Sequence, residues 1–246
     1  MKKLVLFIAL IIGLNQVYAQ KMKPEETEIW EPEPVLVTPG EGTAPPSDAI
    51  VLFDGTNLDK WESEKGGEVR WEVSDGIMTV VPGTEGIRTK EVFGSFQLHV
   101  EWRTPEKIEG KGQGRGNSGV FMNGNIKDGY EVQVLDSYNN RTYSNGQAAS
   151  IYKQKMPLVN ACKPPGVWQT YDIIYTAPVF LEDGDLASPA YLTVIHNGVL
   201  VQNHFMLKGH TPYTGLPKYT PHGNGPILLQ EHSNPVSYRN IWIRKL

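Results

Sequence analysis

From Ala49 onward, apolar residues recur at every second position in short runs, and each run ends at Gly, Pro, Asn or Asp. No stretch keeps a 3.6-residue apolar period for more than about two turns, so strands rather than helices must build the core. In FQLHVEWR, Phe96, Leu98, Val100 and Trp102 share one face, and Gln97, His99, Glu101 and Arg103 share the other. YEVQVLD alternates in the same way, with Val132 and Val134 opposite Glu131 and Gln133. Comparable runs are WEVSDGIMTVV, SGVFM, WQTYDIIYTAP, AYLTVIHNGVLVQN, PILLQEH and NIWIRKL. Asp75-Gly76 and Asn197-Gly198 tolerate the positive φ that a two-residue hairpin demands. About a dozen strands in roughly 200 residues predict an all-β, two-sheet antiparallel sandwich. No repeat of fixed period is visible, which argues against a propeller or solenoid.

The chain divides into three parts. Residues 1–19 carry Lys2 and Lys3, an apolar run from Leu4 to Leu14 and the small residue Ala19, the pattern of a signal peptide cut after Ala19. The apolar run falls short of the roughly 20 residues a membrane span needs, so an exported, periplasmic or extracellular protein is expected. Residues 20–48 are rich in Pro and Glu and lack a hydrophobic period, which predicts an extended linker. Residues 49–246 form the folded domain. Losing Lys2 and Lys3 takes the net charge from −4 to −6, and no basic block remains to neutralise phosphates. Nucleic acid is not the expected partner. A single cysteine, Cys162, permits no internal disulfide and reads as a small buried hydrophobe.

Function in such a sandwich sits where a strand's open face is polar. Glu131 and Gln133 share one side of a strand packed by valines, and Gln230 and His232 share one side of another, opposite Leu229. The plain alternative is a face turned to water. The segment GKGQGRGNSGVFM brings Arg115 and Asn117 to a strand on a loop whose glycines admit a ligand close to the backbone; a mobile hairpin tip has the same composition. The six histidines show no zinc spacing, and His204, His210 and His222 fall in a Gly/Pro-rich stretch read as a surface loop. No cofactor is required, although Glu131 with Asp136 is a donor pair compatible with a divalent ion. A serine-hydrolase signature is missing. Trp71, Trp102 and Trp242 are in phase with apolar faces and are assigned to the interior, whereas Tyr138, Tyr143 and Tyr152 are cleft candidates.

Taken in order, Leu52-Phe53-Asp54-Gly55-x-x-Leu58-x-x-Trp61, Trp71-x-Val73-x-Asp75-Gly76, Phe96-x-Leu98-x-Val100-Glu101-Trp102, Gly116-Asn117-Ser118-Gly119-Val120, Gly129-Tyr130-Glu131-Val132-Gln133, Gly225-Pro226-Ile227-x-Leu229-Gln230-x-His232 and Tyr238-Arg239-Asn240-Ile241 resemble the 3-keto-disaccharide hydrolase family. The resemblance runs from about Ala49 to Leu246 and implies a concanavalin-like jelly roll acting on glycosides already oxidised to a ketone at C3. It places Arg115, Asn117, Glu131, Gln133, Gln230 and His232 in the pocket. The insertion SYNNRTYSNGQAASIYKQKMP departs from the common pattern, so aglycone preference does not transfer.

A C3 ketone acidifies the C2 proton, and the resulting enolate can expel the C1 substituent; water then gives net hydrolysis. Such a site needs a base, an acid and an enolate stabiliser. The expected catalysts are Glu131 and His232, with Arg115 or Lys153 near the enolate oxygen and Asn117, Gln133, Asp136 and Gln230 completing the binding set. Two rivals are a conventional glycoside hydrolase, which needs two carboxylates about 5–10 Å apart, and a non-catalytic carbohydrate-binding module, which needs no acid and base together.

Overall fold

The computed structural model describes residues 21–124 and 126–246; the expected signal peptide lies outside them. It falls into two units, Met1–Leu36 and Val37–Leu246. The described part of the first holds one 3-10 turn, Pro24–Thr27. The second is an antiparallel jelly-roll sandwich. Among the described residues no helix is long and apolar enough to cross a membrane.

Fifteen strands are described: β1 (Ile50–Phe53), β2 (Trp61–Ser63), β3 (Glu72–Ser74), β4 (Ile77–Thr79), β5 (Ile87–Thr89), β6 (Phe96–Arg103), β7 (Ser118–Met122), β8 (Tyr130–Val134), β9 (Gln169–Thr176), β10 (Val179–Phe180), β11 (Leu186–Ser188), β12 (Tyr191–His196), β13 (Val199–Met206), β14 (Leu228–Leu229) and β15 (Ser237–Lys245). One sheet runs β13-β12-β9-β6-β15-β4-β3 with β1 also on β15, a second runs β2-β5-β14-β7-β8, and β10 and β11 pair separately. Both expected hairpins form. Asp75 and Gly76 have φ of 53° and 77°, and Asn197 and Gly198 have 52° and 80°, the positive pair of a type I′ turn.

The inner faces of the two large sheets meet in one core that includes Leu98, Val100, Trp102, Ile173 and Ile243 from the first and Ile87, Val120, Val132 and Leu229 from the second. Two buried phenols cross that core. Tyr171 donates to the Gln133 carbonyl at 2.7 Å, and the Tyr238 hydroxyl meets Ser118 Oγ at 2.6 Å. Both fasten the backs of β7 and β8, whose other faces carry the polar residues described below.

Three expectations need correction. Trp242 does not enter the core; it pairs with His99 across β15 and β6 and stacks on its ring at 5.1 Å. The cause is an irregularity between Arg239 and Trp242, where Asn240 has φ 45°. It leaves Ile241 and Ile243 inside and Trp242 on the opposite face. His204 is not in a loop but on β13, stacked on Tyr191 at 4.4 Å. The strand expected through His232 stops at Leu229, and His232 follows as exposed, irregular chain.

Candidate functional site

The β8 register opposes Glu131 to Phe121 and Gln133 to Gly119 on β7. All four therefore point away from the core, where the valines between them are buried. Gln230 extends the row, its N–H bonding the Gly119 carbonyl at 3.0 Å. Around these residues lies a cavity of about 140 Å³, lined also by Gln113, Asn117, Tyr152, Thr211, Tyr213 and His232. Five of the eight residues singled out from sequence (Asn117, Glu131, Gln133, Gln230 and His232) are thus brought together.

Glu131 is 5% exposed, and among the described residues nothing hydrogen-bonds its carboxyl. Burial alone pushes its pKa up to about 8. It fits only because residue 119 is glycine: a Cβ there would lie 2.5 Å from Glu131 Oε1. The backbone of Glu131 is pinned from the edge of the sheet, its N–H bonding Thr211 Oγ1 at 3.0 Å and its carbonyl accepting from Tyr152 N–H at 3.1 Å. These contacts also cover the otherwise open edge of β8.

The amides have distinct duties. Gln133 Nε2 is spent on Asn117 Oδ1 at 2.8 Å, Val134 O at 3.0 Å and Ser118 O at 3.2 Å, so only its oxygen is left for a ligand. Asn117 Nδ2 in turn donates to Gln113 O at 2.7 Å. Gln230 Oε1 is buried without a partner among the described residues, an acceptor that costs free energy unless a ligand donates to it. His232 stands exposed at the cavity's edge, its ring free of hydrogen bonds among the described residues.

The other three candidates lie apart. Arg115 Nε bonds Asp136 Oδ2 at 2.6 Å and its Nη2 bonds the Tyr138 carbonyl at 2.8 Å. Both members of this nearly buried pair line a separate cavity of about 360 Å³ beyond the Gly-rich loop. Glu131 and Asp136 therefore share no ion, and among the described residues no group of three or more His, Cys, Asp or Glu is placed to hold a metal. Lys153, at φ 56°, donates to the Tyr213 carbonyl and sits 4.3 Å from the Tyr213 ring. It braces an aromatic wall rather than facing the cavity.

Of the tyrosines, Tyr152 lines the cavity and its hydroxyl meets that of Tyr143 at 2.7 Å. Burial, followed by the Tyr143 contact, keeps Tyr152 well above the usual phenol range and so protonated. Tyr138 does not line the cavity; its carbonyl accepts from Arg115 and its N–H bonds Asp136 Oδ1 at 3.1 Å. Thr211 and Tyr213 were not anticipated. They belong to the long segment after β13, and their only sequence signal is a Thr and a Tyr between Gly and Pro residues.

Known proteins share the sequence pattern and the fold. The model of the family described as the 3-keto-alpha-glucoside-1,2-lyase-like domain matches residues 48–244. A crystal structure from Parabacteroides distasonis ATCC 8503, provisionally described as a glycosyl hydrolase, is 52% identical, with a TM-score of 0.86 over 92% of this chain and 97% of that one. Another from the same organism with the same description is 21% identical, with a TM-score of 0.61 over 81% of this chain and 94% of that one, and it shares the fold. No curated protein matches. Because the family model covers residues 48–244, nearly all of the sandwich, the chain belongs to the 3-keto-disaccharide hydrolase family of carbohydrate-active proteins.

Proposed function

We propose that this protein, after export, cleaves the glycosidic bond of 3-keto-glycosides, 3-keto-disaccharides among them, by elimination followed by addition of water. The observation that carries this reading is Glu131, a carboxyl that accepts no hydrogen bond among the described residues and is buried in one cavity with the unsatisfied Gln230 amide oxygen and the exposed His232. Glu131 is the only carboxylate among the described residues lining the cavity. That suits one proton abstraction better than the paired carboxylates of ordinary glycoside hydrolysis.

In the proposed sequence, the Glu131 carboxylate removes the C2 proton and the electron pair moves onto the C3 oxygen as an enolate. The ketone re-forms as the C1–O bond breaks, leaving a C1=C2 double bond. The departing oxygen takes a proton from His232. Water then adds, hydroxyl to C1 and proton to C2, for net hydrolysis. A carboxylate raised to about 8 is a far stronger base than an exposed one. Tyr152, kept protonated and lining the cavity, turns its O–H from Tyr143 to the enolate oxygen, a role that Arg115 and Lys153, which do not line the cavity, do not fill. The amide oxygens of Gln133 and Gln230 accept sugar hydroxyls.

The test is product analysis on purified protein given a glucoside and its 3-keto counterpart. Cleavage of the 3-keto compound alone is expected. Cleavage of the unoxidised glucoside at an equal rate would overturn the proposal, and binding without cleavage of either would favour a carbohydrate-binding module.

A further inference from the structure

The Glu131 cavity is smaller than a disaccharide requires. At about 140 Å³ it lies below the roughly 300–1,000 Å³ of pockets that take drug-sized ligands. It accommodates one ring, and the rest of a two-ring substrate must lie beside it. The sheet shows where.

The row Gln133, Gly119, Gln230 continues past β14 to Gly86 and then Glu64, whose N–H bonds the Gly86 carbonyl at 2.9 Å. Along the parallel row, Phe121 opposes Leu228 and Leu228 opposes Arg88. Over this half of the face lies a second hollow of about 440 Å³, lined by Glu64, Lys65, Arg88, Gly124, Lys127 and Leu228, with Ile126 common to both hollows. The floor between them is low because residue 86, like residue 119, is glycine; a Cβ at 86 would lie 3.0 Å from Glu64 Oε2. Glu131 leans over β7 at Gly119 and Glu64 over β5 at Gly86, with Gln230 between the two glycines.

The chemistry of the second hollow is that of a neutral, hydroxyl-rich ligand. Arg88 is paired with Glu62 at 2.8 Å and Lys65 with Glu85 at 3.6 Å. Glu85 also takes Arg70, and Glu231 acts on Glu64, so four cations (Lys65, Arg70, Arg88 and Lys127) stand among four carboxylates (Glu62, Glu64, Glu85 and Glu231) and no net field selects a charged group. Glu64 is half-buried and its carboxylate accepts no hydrogen bond among the described residues, which suits it to a pair of hydroxyl donors. Ile126, which is exposed, offers apolar contact to a ring face.

We propose that this hollow is the leaving-group subsite and that it holds a second, uncharged sugar, with Glu64 accepting its hydroxyls across the glycine floor. The proposal rests on the reaction assigned above. Its test compares wild type with Glu64→Gln on two substrates that share the oxidised ring, a 3-keto-disaccharide of two glucose units and the 4-nitrophenyl 3-keto-glucoside. The ratio of kcat/KM for the disaccharide to that for the aryl glycoside is expected to fall about tenfold or more in the variant. An unchanged ratio would overturn the subsite.

If wild type cleaves neither substrate, the assigned reaction fails, and calorimetric binding of the unoxidised disaccharide then decides the subsite separately. Affinity about tenfold weaker in Glu64→Gln supports it; equal affinity, or no binding by wild type, overturns it.

Discussion

At the scale of single residues, the reading depends on the protonation of Glu131. With a pKa near 8 it is mostly neutral at pH 7, so a role as base means that kcat/KM for the 4-nitrophenyl 3-keto-glucoside, whose leaving group needs no proton from His232, rises with pH through about 8. A falling limb there would reassign it as the acid. Glu131→Gln should lower turnover by about 100-fold or more while the fold persists, as circular dichroism can check. The same group makes a prediction about stability. Its folded pKa lies above its unfolded one, so the folded state holds the proton between about pH 4.5 and pH 8 and the unfolded state releases it. Wild type should therefore lose roughly a few kcal/mol across that window relative to Glu131→Gln, and thermal melts at pH 5 and pH 8 would show the gap widening in the variant's favour.

Glu131 and Gln133 were legible in the sequence because period-2 alternation between valines leaves their direction no choice. Glu64 was not, since its importance arises from which strands neighbour β2, and no local pattern encodes that. Thr211 and Tyr213 escaped for a related reason: loop residues are placed by contacts such as that of Thr211 Oγ1 with the Glu131 N–H, made between residues 80 positions apart.

At the scale of elements, the site is held by the two loops that lead into β7 and away from β14. They are tied where the Asn117 N–H bonds Asn234 Oδ1 at 3.0 Å. The Gly-rich loop brings Gln113 and Asn117 to the cavity, whereas Arg115 serves the loop as an internal anchor. Its partner Asp136 has only 2% of its side chain exposed, and Asp136 N–H also bonds the Arg115 carbonyl at 3.1 Å. Arg115→Ala would strand that carboxylate, costing about 3–5 kcal/mol and lowering Tm by on the order of 10 °C. The pH dependence of kcat/KM should stay as in wild type, because neither Arg115 nor Asp136 faces the Glu131 cavity; a displaced pH limb would show that the pair acts on the chemistry after all. Strand existence and facing were legible in most elements. The exception, Trp242, shows why: one irregular residue, Asn240, inverts every face beyond it, and nothing in NIWIRKL announces it.

At the scale of the whole sandwich, the outer face of the larger sheet is also covered, by residues within the stretch whose composition predicts a linker. Thr43 Oγ1 donates to Glu101 Oε1 at 2.8 Å, its carbonyl accepts from Asn240 Nδ2 at 2.9 Å and Trp242 Nε1 at 3.0 Å, and Asp48 pairs with Arg244 at 2.6 Å. Beneath this strap His99 and Trp242 are buried, although both lie on the polar side of their strands. Composition could not foretell this, because hydrogen bonds to the backbone and side chain of one threonine replace the hydrophobic period that folding usually needs. A chain beginning at Ala49 should therefore melt several degrees below one beginning at Val37, with red-shifted tryptophan emission as Trp242 meets water. The difference should also depend on acid. Burial tends to raise the Glu101 pKa, but hydrogen bonds from Asn240, Arg239 and Thr43 outweigh it and hold the group below its usual value. A depressed carboxylate stabilises the fold above its unfolded pKa and ceases to do so as pH falls through the folded one. Because Thr43 is among the donors that depress Glu101, the Tm gap between the two chains should be widest near neutrality and narrow below about pH 4.5. A gap independent of pH would mean that the strap holds by packing and by its carbonyl bonds, without help from the Glu101 charge.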